Sequence, residues 1–215
     1  MHRKAPGVTE PLLPLCAATT NRQVITATHG ALAGLPECGE VEVRLGHRAL
    51  FELSLAFVGV SREARGSVVQ LLATAAAASP LHAAARSRRW PAIKAGLEGI
   101  GLSPEAVGRC RQLVLQAAGE AGAALHRLRT LLAHAAAGRA ARSGPRPHGP
   151  AAALACLDEL AALLAHLAAW GLPPACLLVD PLLAPHSDAF SGLLFQCHLV
   201  QRDSGAAAVV AAGGR

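Results

Sequence analysis

The sequence predicts an α+β fold: one largely antiparallel sheet, its strands near the two ends of the chain, with a long helical stretch between them. Three observations carry this. Glu40-Val41-Glu42-Val43-Arg44-Leu45 alternates strictly, with Val41, Val43 and Leu45 on one face and Glu40, Glu42 and Arg44 on the other. That period marks a half-buried strand. Near the far end, apolar runs at 192–200 and 206–212 flank the polar turn Arg202-Asp203-Ser204-Gly205 and read as an antiparallel hairpin, with 176–180 as a neighbouring strand. Between these regions Ala and Leu recur at helical spacing.

In chain order, residues 1–20 are punctuated by proline and predict an irregular tail. Val24 to Leu35 predicts a helix closed by Gly34 and Pro36. The strand at 40–45 leads through Gly46-His47-Arg48 into an apolar helix, Ala49 to Val58, stopped at Gly59. His47, at that junction, reads as a capping or packing residue, and Arg48 as a solvated charge. Residues 21–60 and 170–215 therefore form the sheet region. Residues 61–137 form a helical insert to one side of it.

Within the insert, Ser61 predicts the N-cap of a helix through Ala78, ended by Ser79-Pro80. The cluster Arg86-Ser87-Arg88-Arg89-Trp90 has two readings. It is either an RNA contact, with arginines on phosphates and Trp90 stacking a base, or a solvated turn with Trp90 folded onto the helices. A short helix spans Trp90 to Glu98. Ser103-Pro104-Glu105 starts another, with an N-cap serine, Pro at N1 and an acid in the first turn. Val107, Cys110, Val114 and Ala117 share its buried face; Gly119 and Gly122 break it before a helix bearing Leu125, Leu128 and Leu132. His126 and His134 on that helix read as surface histidines. Residues 138–150, rich in Gly, Pro and Arg, predict a disordered linker. The helix 151–169 then returns the chain to the sheet, with Leu157, Leu160, Leu164 and Leu167 as its stripe.

Composition narrows the function classes. Hydrophobic residues make up 52% of the 215, but aromatics only 3%, so the core is built from Ala, Leu and Val. A formal charge of +6 admits a polyanionic partner. The six cysteines show no CxxC or Cys/His ligand spacing, which predicts free thiols, no disulfide framework and no metal site. Met1 to Cys16 lacks a signal-like apolar run. The apolar stretch 151–170 carries Asp158, Glu159 and His166, so the expectation is a cytoplasmic chain with no membrane partner.

The run D-P-L-L-A-P-H-S-D-A-F-S-G-L-L-F-Q, from Asp180 to Gln196, resembles the histidine-binding motif of histidyl-tRNA synthetases, close to D-L-S-L-A-R-G-L-D-Y-Y-T-G-x-x-F-E. Ala212-Gly213-Gly214-Arg215 resembles the A-G-G-R segment that follows it. V-E-V-R-L-G-H-R-A-L-F-E-L-S-L-A-F-V-G-V, from Val41, is similar to the family's strand, N-H-R and helix stretch. The resemblance implies a partial class II aminoacyl-tRNA-synthetase-like sheet with a helical insert. It also implies that the chemistry is gone. Pro185 stands where the family has its transition-state arginine, and a ring without a donor cannot replace a guanidinium. Ala189 and Phe190 replace the paired tyrosines, while Asp180, Asp188 and Gly192 persist.

Within the family, this pattern resembles the synthetase-like regulatory domain of general-control kinases, which phosphorylate the alpha subunit of translation initiation factor 2 when amino acids run short. That resemblance implies uncharged tRNA as partner, a homodimer, and a kinase domain on the same polypeptide. It implies no catalytic residue and no cofactor on this chain, ATP and magnesium serving the kinase domain. No Gly-rich loop, V-A-I-K, H-R-D or D-F-G is present in these 215 residues. The arginines expected to meet tRNA phosphates are Arg86, Arg88, Arg89, Arg109, Arg111, Arg127 and Arg129. The alternatives are a fragment of a histidyl-tRNA synthetase, or of its paralogue regulating ATP phosphoribosyltransferase. A helical adaptor with coincidental strand matches is the third.

Overall fold

The computed structural model describes residues 13–34, 39–139, 150–183 and 190–214, without the side chains of 13–20, 134–139, 150, 151 and 153. Helix α1 (Leu13–Ala33) leads to strand β1 (Glu40–His47) and helix α2 (Arg48–Val58). Helices α3 (Arg65–Ala76), α4 (Ala83–Gly99) and α5 (Pro104–Gln112) follow, α5 running into a π-helical turn at Leu113–Ala117. Strand β2 (Gly119–Glu120) precedes two long helices, α6 (Ala121–Arg139) and α7 (Pro150–Ala169), which pack on each other. Strands β3 (Leu177–Val179), β4 (Leu193–Val200) and β5 (Ala207–Gly214) close the chain.

The five strands form one sheet in the order β2-β3-β1-β4-β5. β1 pairs antiparallel with β4 from Glu40↔Val200 to His47↔Leu193, and β4 pairs antiparallel with β5. The α+β architecture is as expected. One pairing differs: β3 lies parallel to β1 through Val43↔Leu177 and Leu45↔Val179, instead of extending the hairpin. A parallel neighbour needs a crossover, and here the whole helical middle supplies it.

The alternation in β1 sorts its two faces as expected, but the strand is not half-buried: Glu42 and Arg44 on the polar face are buried as well. Val43 and Leu45 are fully buried against α2 and α7, meeting Leu50, Leu55, Leu157 and Leu160 in one contiguous core. On α7 the deepest residues are Leu157, Leu160, Leu163 and Leu167; Leu164 sits at the margin. His47 is the N-cap of α2: its backbone is extended and its Nδ1 accepts the Ala49 amide at 3.0 Å. Ser103 caps α5 by accepting the Ala106 amide at 3.3 Å.

Several boundaries are corrected. The tail expected over 1–20 is helical from Leu13, because Pro14 falls in a first turn, where its missing N–H costs no hydrogen bond. Residues 1–12 lie outside the described part. Ser61 bonds the Ala64 amide in a turn ahead of α3, which starts at Arg65. The turn expected at Arg86 to Trp90 lies inside α4, with Pro91 tolerated in the same helix. Of the linker expected over 138–150, residues 138 and 139 belong to α6 and residue 150 to α7; residues 140–149 are outside the description.

Residues 61–137 do not stand to one side. They lend β2 to the sheet, pairing Gly119↔Val179. They also add a single bridge, Ala78↔Ala206, on the outer edge of β5. Ser79 donates its amide to the Gly205 carbonyl at 3.0 Å, and Ala207 to the Ala77 carbonyl at 3.1 Å. The α3–α4 turn is thus stitched to the β4–β5 hairpin.

Candidate functional site

Residues directly opposite across an antiparallel pair project on the same face. Glu42 faces His198 and Arg44 faces Gln196, so the face of β1 and β4 opposite the apolar core carries four polar side chains. All four are buried, and Arg44 has no exposed surface at all. The last residue of α3 and the α3–α4 turn supply hydrogen-bond partners to its Glu42–Arg44 pair.

Arg44 donates from Nε and Nη2 to Glu42 Oε2 at 3.2 and 3.1 Å, and from Nη1 to the Ala76 carbonyl at 2.6 Å. The Ser79 hydroxyl donates to the other Glu42 oxygen. His198 Nε2 lies 3.0 Å from Gln196 Oε1. Burial lowers the pKa of Arg44, while the Glu42 and Asp180 carboxylates act to raise it.

A second buried pair adjoins the first. Arg86, on α4, donates Nη2 to Asp180 Oδ2 at 3.0 Å, Nη1 to the Val114 carbonyl at 2.8 Å and Nε to the Ala78 carbonyl at 3.4 Å. Val114 lies in the π-helical turn, where the regular helical ladder is interrupted. Asp180 then fixes the chain that follows it: Oδ1 accepts the Leu182 amide at 3.0 Å, and the Asp180 amide donates to the Leu45 carbonyl at 2.9 Å. One guanidinium therefore ties α4, the π turn and the α3–α4 turn to the segment where the degenerate motif begins.

Burial by itself would raise the Asp180 pKa. The Arg86 charge, its hydrogen bond, the Leu182 amide and the more distant Arg44 together outweigh burial and hold it below the usual carboxylate range. A depressed folded value contributes stability that is present above the unfolded value, about 3.9, and is lost as pH falls through the folded one. The urea midpoint is therefore expected to drop below about pH 4. The Arg86→Met/Asp180→Leu double variant should show a flatter acid limb, read by urea titrations from pH 6 to pH 2.5.

Of the motif positions, Asp180, Phe190 and Gly192 are described. The Phe190 carbonyl accepts Arg48 Nη1 at 3.3 Å and the Gly192 carbonyl accepts the Arg48 amide at 2.9 Å. Arg48 is thus a tether between α2 and the start of β4, not the solvated charge expected. Pro185, Asp188 and Ala189 lie outside the described residues. Gly213 has a packing reason: it faces Phe195 across the strands, and an added Cβ would come within 2.5 Å of that ring.

The seven arginines do not form one basic surface. Arg86 is 4% exposed and fully engaged, so it is corrected from phosphate contact to core ion pair. Trp90 is buried beside it and cannot stack a base. Arg109 caps the C-terminal end of α2, with Nε and Nη2 at 3.2 and 2.9 Å from the Val58 carbonyl. Arg89 donates to the Thr74 carbonyl at 3.2 Å, Arg127 to the Ala118 carbonyl at 3.4 Å, and Arg129 pairs with Asp158 at 2.6 Å. Arg88 and Arg111 are exposed. The Arg86–Val114 bond places the start of α4 beside the end of α5, so these two arginines belong to the same end of the helix pair.

Burial pushes the thiols of Cys110, Cys156 and Cys197 up to about 11, which leaves them protonated and unreactive. Cys16 and Cys38 are outside the described side chains. Among the described residues no helix is long and apolar enough to cross a membrane, and no cluster of three His, Cys, Asp or Glu side chains could hold a metal.

No family model matches the chain, and no curated protein sequence matches it. Solved structures do share its fold. Histidyl-tRNA synthetase from Nostoc sp. PCC 7120 superposes with a TM-score of 0.64 at 15% identity, over 92% of this chain and 40% of that one. An ATP phosphoribosyltransferase regulatory subunit/histidyl-tRNA synthetase from Bacillus halodurans gives 0.57 at 19%, over 92% and 42%. A histidine–tRNA ligase subunit from Alicyclobacillus acidocaldarius gives 0.58 at 17%, over 93% and 52%. The chain thus spans about half the length, or less, of these structures, and its fold is that of a histidyl-tRNA-synthetase-like α+β domain.

Proposed function

We propose that this chain is a catalytically silent, histidyl-tRNA-synthetase-like regulatory segment, which binds uncharged tRNA in a homodimeric kinase acting on translation initiation factor 2 alpha in amino-acid starvation. One observation carries its silence. The polar face of β1 and β4 is filled by the chain's own Glu42–Arg44–Ser79 and Arg86–Asp180 bonds, which leave those charges already neutralised. Catalysis of adenylate formation needs preorganised donors aimed at developing charge. Here the buried guanidiniums are spent on carboxylates and backbone carbonyls, and Pro185 supplies no donor. In this reading ATP and magnesium belong to a kinase domain on the same polypeptide, in the cytoplasm.

Contact with tRNA falls on Arg88 and Arg111, aided by Arg89 and Arg129 at the exposed ends of their bonds. With Trp90 buried, the affinity comes from phosphates, depends steeply on salt and reads little sequence. Histidine-dependent ATP–pyrophosphate exchange by the full chain is expected at background; exchange above it overturns the reading. Deacylated tRNA is expected to bind Arg88→Glu/Arg111→Glu more weakly, with the salt slope reduced by about 2. Equal binding by both proteins at two salt concentrations removes this face as the tRNA contact.

The second reading, a regulator of ATP phosphoribosyltransferase, is supported by the regulatory-subunit structure among those sharing the fold. It requires association with that enzyme's catalytic subunit. Measuring tRNA and that subunit against the same immobilised chain separates the two readings.

A further inference from the structure

Helix α1 packs on β1, β4 and α7, yet among its described side chains, 21–33, apolar anchors are few. Of its described side chains, only Asn21 and Ile25 are buried, one turn apart, while Val24 points outward at 45% exposure. Three polar atoms within six residues are shut away from water without a hydrogen-bond partner: Asn21 Nδ2, Arg22 Nε and Thr26 Oγ1. Arg22 instead lays its guanidinium over the Trp170 ring at 4.1 Å, at the end of α7.

These groups are closed to solvent, so no ligand reaches them while the helix is docked. They recover hydrogen bonds when α1 lifts, because water then serves all three. Single unpartnered Nε atoms also occur at Arg65 and Arg127, but among the described residues only α1 gathers three such groups within six residues, and with them it seats one deeply buried isoleucine. Opening by local units is how low-stability segments of a native fold exchange.

We propose that α1 is a detachable strap, released as a unit from the sheet and α7 while the rest of the fold stays intact, with the Arg22–Trp170 stack as its clasp. The strap changes how much of the β1 and α7 surface is uncovered without disturbing the Arg86–Asp180 centre.

Hydrogen exchange with mass-spectrometric readout on the full chain tests this. Amides of 21–33 are expected to exchange at least ~100-fold faster than those of 155–168, with a shared denaturant dependence that is real but smaller than that of global unfolding. Asn21→Leu/Thr26→Val, which removes two stranded groups, should slow α1 exchange about tenfold and leave α7 unchanged. Trp170→Ala, a change at a 45% exposed side chain, should speed α1 exchange about fivefold. Protection of α7 in the same spectra reports that each variant is folded, and if the double variant does not fold, Trp170→Ala decides. Protection of α1 equal to that of α7 overturns the proposal, as does unchanged α1 exchange in every folded variant.

Discussion

Arg86→Met is expected to destabilise the chain by about 3–5 kcal/mol, since it strands the Asp180 carboxylate in the interior without its cation. Against a typical total of about 5–15 kcal/mol, that is a large share of the stability. The same change frees the Val114 and Ala78 carbonyls, so the π-helical turn and the α3–α4 turn lose their common donor. Arg86→Met/Asp180→Leu removes both charges and should recover most of the loss, because an apolar pair of similar bulk needs no counter-ion. Denaturant unfolding followed by circular dichroism reads both proteins. A single substitution costing less than about 1 kcal/mol would mean that the pair is solvated and the centre described above is not one.

Gly205→Ala is expected to cost about 2–4 kcal/mol for two separable reasons. Its φ of 65° is left-handed, which an alanine adopts at about 1–2 kcal/mol. An added Cβ would also sit 2.6 Å from the Cβ and Cγ of His82, a displacement of the kind that costs about 1–3 kcal/mol. Gly205→Ala/His82→Gly, measured against His82→Gly alone, keeps the first contribution and removes both close atoms, so the loss should fall back to about 1–2 kcal/mol. Equal losses in both variants would show that His82 yields freely. The turn matters because the Gly205 carbonyl takes the Ser79 amide, and Ser79 in turn holds Glu42.

The elements legible in the sequence were those whose signal is local. β1 was readable because its charges interrupt its apolar residues at period two, and α5 because Ser103-Pro104-Glu105 is a start signal independent of tertiary context. β2 was not, since two residues carry no period and the strand exists only because β3 offers Val179 and Leu178 as partners. The ion-pair centre was missed through a reading of composition. Arg86-Ser87-Arg88-Arg89 looks like a solvated basic run, but Arg86, Trp90, Ile93 and Leu97 fall at i, i+4, i+7 and i+11, the buried stripe of α4. That spacing was the available signal. The polar face of the sheet was hidden differently. Gln196 and His198 become partners of Arg44 and Glu42 only through a register spanning most of the chain.

That register governs how the protein is made. Between 146 residues, for His47 with Leu193, and 160, for Glu40 with Val200, separate the two central strands. At a synthesis rate of about 5–20 residues per second, β1 leaves the ribosome roughly 7–30 s before β4 exists to pair with it. Loop closure over such a distance is entropically slow even afterwards, so the β1–β4 pairing cannot begin until the whole helical middle has been made. During that wait β1 is an unpaired strand whose apolar face lacks its full cover. Glu40, Glu42 and Arg44, interleaved with its valines, are then the residues that keep nascent chains from pairing with one another. Their alternation, which marks the strand in the sequence, is thus also what lets the unfinished chain stay single.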